Sequence, residues 1–346
     1  MTDQIPAAAR KDTHIDLALT PLAKPDIANS MDRLNFIHCA LPECDLDGVD
    51  LATQFYGKAL SAPIMIGAMT GGTPRAAEIN AALATVAQSH KIAFAVGSQR
   101  AALELGQSAS NLRNLAPDVV IIGNLGGIQL ARPNGIDLAK AAVDDLAADA
   151  IAIHLNPLQE AVQPEGERDW RGVRDAIGAL VTANIAPVIV KEVGAGINAK
   201  LAAELFDMGV STVDIAGVGG TNWARIEAAR RRDSAVFAPF LDWGMTTMDC
   251  LLDIRNCCPG HSIIASGGIR HGLDAMRAYW LGADMVSLAG AMLSHLIQND
   301  ARPDPEMLSG YVDVIKQQMK LAAFLTGAAE LGEFRKKPAQ LDGHPL

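Results

Sequence analysis

Residues 262–290 read SIIASGGIRHGLDAMRAYWLGADMVSLAG, and this stretch decides the fold. Two short apolar runs, at 262–267 and 284–289, are each followed by glycine, and the segment between them is long enough for one helix. Strands that are apolar on both faces and alternate with helices are typical of a parallel sheet. The stretch therefore predicts one strand, one helix and a second parallel strand.

The same unit recurs along the chain. Counting both runs above, eight apolar runs are found, at 63–68, 92–97, 119–124, 150–155, 187–192, 211–216, 262–267 and 284–289. Segments with helical spacing separate most of them, for example 76–89, 136–146, 171–183 and 198–208. Eight such units predict an α/β fold, a TIM (β/α)8 barrel. An open doubly wound sheet is the alternative, but no early strand carries its glycine fingerprint.

Two segments do not follow this alternation of strand and helix, and they define the predicted domain organisation. Residues 1–60 precede the first strand as an N-terminal extension, and residues 61–346 form the barrel with a C-terminal helix. Residues 217–260 separate the sixth and seventh strands as a long loop. A long loop after a barrel strand lies on the catalytic face, so this one is predicted to cover a substrate.

Composition excludes several classes of protein. The 346 residues include 49% hydrophobic residues, which suffices for a large core, and the net charge is −10. So acidic a chain argues against general binding of nucleic acid or anionic membranes. We find neither a membrane-spanning run nor the apolar core of a signal peptide. Five cysteines without a metal-site spacing indicate reduced thiols and a cytoplasmic protein.

The ends of the predicted strands are polar or rich in glycine, and in barrels those ends form the active site. SGGIR (266–270) and AGA (289–291) follow the last two strands, and each leads into a helix. Backbone N–H groups at such loops bind phosphate, although ordinary turns also need glycine. The pair of loops predicts a phosphate site.

Three further strand-end residues have a functional and a structural interpretation. Lys191 ends the fifth strand and could place a cation beside an electron-rich ring or an oxyanion, or simply extend to the rim. His154 shares one face of the fourth strand with Ala150 and Ala152, and is either a pocket residue or a satisfied core histidine. Glu160 could bind Mg²⁺ on a phosphate, while its spacing alone suits a solvated loop acid.

Ten motifs in this order together resemble one family. They are RKDTH (10–14), FIHCALPE (36–43), MTGGT (69–73), VGSQR (96–100), GNLGG (123–127), HLNPLQE (154–160), KEVGAGI (191–197), GVGGTNWARIE (217–227), ASGGIR (265–270) and LGADMVSLAG (281–290). The sequence resembles the type 2 isopentenyl diphosphate isomerases, FMN-dependent barrel enzymes, over most of its length. HLNPLQE and RKxxH are specific to that family, whereas SGGIR is shared with many flavin barrels.

The resemblance implies a role for each matching residue. Those that would hold FMN are Ala68, Met69, Thr70, Ser98, Asn124, Lys191, Thr221, Gly268, Ile269, Arg270, Ala289 and Gly290. Those that would hold the substrate are Arg10, Lys11, Ser98, Gln99, Arg100 and Gln159, so the N-terminal extension would contribute to the substrate site. Gln159, His154 and Asn156 would be catalytic, and Glu160 would bind Mg²⁺. Ala216 departs from the family, in which many members carry serine near the flavin.

The resemblance also implies a reaction and its cofactors. Isopentenyl diphosphate would be converted to dimethylallyl diphosphate by a proton shift that needs reduced FMN, NADPH as reductant and Mg²⁺. A homo-oligomer, tetramer or octamer, is implied as well. One competing hypothesis is a flavin-binding or storage barrel without chemistry, against which His154, Gln159, Glu160 and Arg100 at one mouth argue. The other is an FMN-dependent 2-hydroxyacid oxidoreductase. Those enzymes use a histidine base after the sixth strand, and residues 216–227 contain no histidine.

Overall fold

The computed structural model describes residues 7–298 and 302–346, with side chains from residue 11 onwards in the first range. The strands are short, and most of them lie where the apolar runs predict. In chain order they are β1 (Leu34–Phe36), β2 (Thr53–Phe55), β3 (Lys58–Leu60), β4 (Ile64–Ile66), β5 (Ala93–Ala95), β6 (Ile121–Gly126), β7 (Ala150–Leu155), β8 (Val188–Glu192), β9 (Thr212–Asp214), β10 (Ser262–Ser266), β11 (Met285–Leu288), β12 (Ala339–Leu341) and β13 (His344–Pro345).

Strands β4 to β11 form a closed parallel barrel in chain order. The barrel closes because β11 pairs with β4, with Val286 opposite Ile64 and Leu288 opposite Ile66. An open doubly wound sheet would leave its outer strands unpaired on one side. The predicted (β/α)8 barrel is therefore confirmed, and each of the eight apolar runs overlaps one barrel strand.

Helices surround the barrel and cross its upper face. They are α1 (Ala7–Ala18), α2 (Pro74–His90), α3 (Arg100–Glu104), α4 (Asn111–Leu115), α5 (Gly127–Leu130), α6 (Gly135–Leu146), α7 (Pro157–Val162), α8 (Val173–Ala183), α9 (Ala199–Asp207), α10 (Trp223–Ala229), α11 (Thr247–Cys257), α12 (Gly272–Trp280), α13 (Gly290–Leu296), α14 (Pro305–Phe324) and α15 (Leu331–Phe334). Among the described residues, none of these helices is long and apolar enough to cross a membrane.

The interior of the barrel explains why the cavity lies at one end. Small and medium apolar side chains, among them Ala93, Ala150 and Ala152, fill its lower part. Phe55 and Leu60, from the β2–β3 hairpin, pack against them. The bottom of the barrel is thereby closed, and space for a ligand remains at the carboxyl ends of the strands.

The two segments outside the barrel repeat are more regular than a loop. Residues 217–260 include α10, two short 3₁₀ helices and α11. Asn222 caps the start of α10, and Thr246 caps the start of α11. The N-terminal extension contains α1 and the 3₁₀ helix Ser30–Arg33, and its strand β1 pairs with β12 near the C-terminus.

Candidate active site

One large cavity, of about 730 Å³, opens at the carboxyl ends of the barrel strands. Its wall contains residues from both the barrel and the N-terminal extension. The predicted site residues that line it are Lys11, Ala68, Met69, Thr70, Ser98, Arg100, Asn124, His154, Asn156, Gln159, Glu160, Lys191, Thr221, Gly268, Ile269, Arg270, Ala289 and Gly290. The structure thus brings into one cavity nearly all the residues that the sequence singled out.

Two predicted residues stand apart from this set. Gln99 is buried in the barrel wall, where its amide donates to Ala142 O over 3.0 Å and accepts from Asn124 N over 2.9 Å. Its side chain therefore supports the wall and does not line the cavity. The side chain of Arg10 lies outside the described residues.

At one end of the cavity, the loops after β10 and β11 form an N–H-rich cradle. Gly267 and Gly268 have φ of +89° and +77°, which L side chains rarely adopt. A Cβ on Gly267 would lie 2.0 Å from Gly217 O, so only glycine fits against the neighbouring loop. Among the described residues, no acceptor takes the N–H of Gly268 or Ile269. Free N–H groups beside the first turn of α13 suit a phosphate.

A lysine and a buried carboxylate lie beside each other on strands β8 and β9. Lys191 and Asp214 are register partners, and both line the cavity. Burial raises the pKa of Asp214, while the charge of Lys191 and a 2.5 Å hydrogen bond from Ser266 act against that rise. The Lys191 ammonium group donates to Glu192 O over 2.5 Å. This pair places a cation and a carboxyl group of raised pKa beside a ligand at the centre of the barrel.

His154, at the end of β7, is a neutral imidazole. Burial lowers its pKa to about 3, with further lowering by the nearby charges of Lys191, Arg100 and Lys11. Asn124 Nδ2 donates to Val96 O over 3.0 Å, so its Oδ1 faces His154 Nδ1 at 2.8 Å. The ring proton is therefore on Nδ1. His154 can act at neutral pH as an uncharged hydrogen-bonding group in a cationic part of the cavity.

A chain of polar side chains begins where α7 follows β7. Pro157 starts the helix directly after Asn156, which brings Gln159 and Glu160 into its first turn. Asn156 Nδ2 donates to Gln159 Oε1 and to Glu160 Oε1, each over 3.1 Å. Gln159 Nε2 in turn donates to Glu227 Oε1 over 3.3 Å. The four side chains thus form one hydrogen-bonded network.

Glu227, on α10, and His14, on α1, are site residues that the sequence prediction missed. His14 Nε2 lies 3.0 Å from Glu227 Oε1, and Arg230 pairs with the other carboxylate oxygen. Burial raises the pKa of Glu227, but His14 and Arg230 outweigh burial, and the pKa lies below its usual value. Glu227 is therefore an ionised, fully buried acceptor for Gln159.

Lys11 and Arg100 give the cavity its cationic character near His154. Lys11, on α1, donates to Gly71 O, and Arg100, on α3, lies 3.4 Å from Glu167. Glu167 also pairs with Arg132 at 2.6 Å, and Arg132 does not line the cavity. The two cations can receive an anionic group although the protein as a whole is acidic.

Glu160 is the candidate metal ligand. Its Oε1 accepts from Asn156 and its Oε2 accepts from Glu167 N over 2.8 Å, so both oxygens are oriented. Within residues 11–298 and 302–346, no group of three or more His, Cys, Asp or Glu side chains could hold a metal. The arrangement suits Mg²⁺ held by one carboxylate together with water and phosphate oxygens.

Comparison with proteins of known structure shows the fold. A flavocytochrome b2 variant superposes with a TM-score of 0.71 and 18% identity over 95% of this chain and 83% of that one. A lactate oxidase of Pediococcus acidilactici gives 0.67 and 15% over 90% and 84%. These similarities support the barrel and carry no information about the reaction.

Comparison of sequences shows the family. Residues 156–340 match the FMN-dependent dehydrogenase family. An isopentenyl-diphosphate delta-isomerase of Xanthobacter autotrophicus is 46% identical over 97% of this chain and 98% of that protein. One of Stutzerimonas stutzeri is 46% identical over 95% of both chains, and one of a Synechococcus strain is 41% identical over 94% of both. The chain belongs to the type 2 isopentenyl-diphosphate delta-isomerases, within the FMN-dependent dehydrogenase family.

Proposed function

We propose that this protein interconverts isopentenyl diphosphate and dimethylallyl diphosphate with reduced FMN as cofactor. The observation that carries the proposal is the network Glu160–Asn156–Gln159–Glu227. Its first three members line the same cavity as the glycine cradle and the Lys11 and Arg100 cations. The cavity combines places for a cofactor phosphate, an anionic substrate and a proton shift.

The cradle fits the phosphate of FMN. Gly268 and Ile269 would donate N–H groups to it, together with Gly290 at the start of α13. Lys191 would lie beside the flavin ring, with Asp214 next to it. When bound, reduced FMN would supply acid and base groups next to the alkene. The other residues predicted from the resemblance, from Ala68 to Ala289, surround the same space.

The chain's own residues would bind and orient the substrate. Lys11 and Arg100 neutralise a diphosphate, whereas Nε2 of neutral His154 carries no proton and can only accept a hydrogen bond, for example from a bound water. Glu160 would hold Mg²⁺, which would supply further positive charge to the diphosphate. We include Arg10 here on the resemblance alone.

Proton movement would depend on Gln159 and Glu227. A carboxamide does not ionise near neutral pH, so Gln159 is an orienting or relaying group. Glu227 is ionised and is held by Arg230, so it can keep the Gln159 amide in one orientation. Helix α1 carries Lys11 and His14 into the cavity wall and helps to exclude water from the site.

The reductant NADPH, the Mg²⁺ ion, a tetrameric or octameric assembly and the cytoplasmic location belong to the same proposal and rest on the resemblance and the sequence. The N-terminal extension, residues 1–60, would serve as part of the substrate site. Its described residues Lys11 and His14 line the cavity.

The test is an anaerobic assay of the purified protein with isopentenyl diphosphate, Mg²⁺ and FMN, with and without NADPH. We expect product only when the flavin is reduced, deuterium from heavy-water buffer in the newly formed methyl group, and NADPH consumption far below product. NADPH oxidation equal to product would refute the isomerase mechanism. Oxidation of lactate or glycolate in place of isomerisation would instead support the 2-hydroxyacid oxidoreductase hypothesis.

A further inference from the structure

Asn29 and Asp32 of the N-terminal extension contact the cradle loop, residues 267–270, and Asn29 also lines the cavity. This loop has two successive residues of positive φ, Gly267 and Gly268, so its backbone has many alternative conformations when it is unsupported. The N–H groups of the cradle can bind a phosphate tightly only if the loop is already in the binding shape. Contacts that hold the loop therefore matter for affinity.

Asn29 contacts both the loop and its own segment. Its Nδ2 donates to Gly268 O over 2.6 Å, and its Oδ1 accepts from Met31 N over 3.0 Å. The second bond caps the 3₁₀ helix Ser30–Arg33, and fully buried Met31 and Leu34 fix this helix to the core. The amide of Asn29 is thus held rigidly where it meets the loop.

The bond to Gly268 O determines the direction of an N–H group. In a trans peptide, the carbonyl and the following N–H point in opposite directions. Because Asn29 holds the carbonyl of Gly268 on its own side, the N–H of Ile269 points away from Asn29. That N–H finds no acceptor among the described residues.

Asp32 fixes the next residue of the loop. Its carboxylate pairs with both terminal nitrogens of Arg270, at 2.5 and 3.1 Å, and this guanidinium holds the pKa of Asp32 below its usual value. Arg270 also pairs with buried Asp274 at 2.8 Å, while Tyr311 donates to Arg270 O over 2.8 Å. The guanidinium donors of Arg270 are therefore directed to two carboxylates.

We propose that Asn29 and Asp32 are positioning residues, which hold the 267–270 loop in the shape that receives the cofactor phosphate. The inference rests on the FMN site proposed above. It gives the N-terminal extension a second role, because the same segment carries Lys11 and His14 into the cavity further upstream. Arg270 acts here as the attachment point of the loop.

Two variants test the contacts with the 267–270 loop separately from the contacts that hold residues 29–33 in place. Asn29→Asp keeps an oxygen that can cap Met31 N but removes the donor to Gly268 O. Asp32→Asn removes the charge that holds Arg270. Asp342→Asn is the matched control, because Asp342 makes a comparable two-pronged pair with Arg33 of the same 3₁₀ helix and has no contact with the loop.

The measurement is the dissociation constant of the full-length, deflavinated protein for FMN and for riboflavin, from quenching of flavin fluorescence. We expect Asn29→Asp and Asp32→Asn each to weaken FMN binding about tenfold, the size of one lost or loosened hydrogen bond. Riboflavin has no phosphate, so its binding should change little. Asp342→Asn should bind both flavins like the parent.

Each other outcome has a defined meaning. Unchanged FMN affinity in both variants overturns the inference, even if thermal stability falls. Equal losses for FMN and riboflavin overturn it too, because they would show general loosening of the site. If Asn29→Asp does not fold, Asp32→Asn decides by the same criteria. A parent protein that binds neither flavin would refute the cofactor assignment itself.

Discussion

Gln159 and Glu227 meet side chain to side chain although 68 positions separate them, with Gln159 Nε2 donating to Glu227 Oε1 over 3.3 Å. The carboxylate is fully buried and ionised, and it also contacts His14. A buried carboxylate of this kind favours one orientation of its partner, because a flipped amide would turn its oxygen towards the carboxylate and lose the hydrogen bond. The orientation of Gln159 therefore depends on Glu227.

We first predict that Gln159→Ala lowers kcat by about 10²–10⁴-fold, the range of a positioned proton-transfer group. Glu227→Gln should also lower kcat, because a neutral amide can present a donor to Gln159 and no longer fixes its orientation. KM should change little in both variants. Steady-state kinetics of the anaerobic, reduced enzyme measure both constants.

Glu165→Gln is the control for Glu227→Gln. Glu165 pairs with Arg230 at 2.8 Å, as Glu227 also does, but only Glu227 of the two accepts a hydrogen bond from Gln159. Its kcat should match that of the parent. If kcat of Gln159→Ala falls less than tenfold, Gln159 only orients the substrate. If kcat falls as much in Glu165→Gln as in Glu227→Gln, the effect belongs to Arg230.

Gln159 could be predicted from the sequence, and Glu227 could not. HLNPLQE follows an apolar run, so its position at a strand end is visible in the sequence alone. Glu227 meets its partners only after α10 and α1 pack over the barrel, which no local pattern encodes. The sequence offers one signal, which is that Glu227 stands between two apolar residues, Ile226 and Ala228. In the structure all three are buried, and burial is unusual for an acidic residue on a surface helix.

The second prediction concerns the substrate cations. Arg100→Ala should raise KM about tenfold or more, because a charge-assisted bond to phosphate contributes about 1.5–3 kcal/mol. Arg132→Ala is the control, since both arginines pair with Glu167 and only Arg100 lines the cavity. FMN affinity should stay constant in both. An equal rise of KM in Arg132→Ala would show that the ion pairs of Glu167 with the two arginines, and not direct contact of Arg100 with the substrate, set KM.

The strand ends show where prediction from sequence stops. The barrel follows from the count and spacing of apolar runs, because period and burial determine strands locally. In VGSQR (96–100), however, all five residues follow β5, and the sequence does not tell which of their side chains turn inward. Ser98 and Arg100 reach the cavity, whereas Gln99 turns to Asn124 and Ala142, since the wall needs that hydrogen bond.

The third prediction tests the phosphate cradle. Gly268→Asp would place a carboxylate in the cradle and a Cβ 3.0 Å from Gly219 Cα, so FMN affinity should fall by at least about tenfold. Gly260→Asp is the matched control, because Gly260 has a similar φ of +79° and nothing within 4 Å of an added Cβ. Fluorescence titration of the deflavinated proteins compares them. Equal affinities in the two variants would remove the cradle from the cofactor site.

The fourth prediction concerns the metal. Glu160→Gln keeps the shape of the side chain and removes its charge, so half-maximal activity should need far more Mg²⁺ than in the parent. Glu78→Gln makes the same chemical change on the exposed face of α2 and serves as control. Titration of activity with Mg²⁺ at saturating substrate gives the comparison. Superimposable titration curves would exclude Glu160 as the ligand.

The last prediction follows from the neutral imidazole of His154. The folded protein keeps the pKa of His154 at about 3, whereas the ordinary value is 6.5, so between these values only the unfolded chain takes up the proton. Stability from this group is therefore complete above pH 6.5 and is lost as the pH falls towards 3.

From pH 7 to 5, the free energy of unfolding of the cofactor-free parent should fall by about 2 kcal/mol more than that of His154→Gln. Denaturant titrations at both pH values measure this difference, with His38→Gln as an exposed-histidine control. If the parent and His154→Gln lose the same free energy between the two pH values, His154 is protonated at its ordinary pH in the folded protein, and its assignment as a neutral group fails.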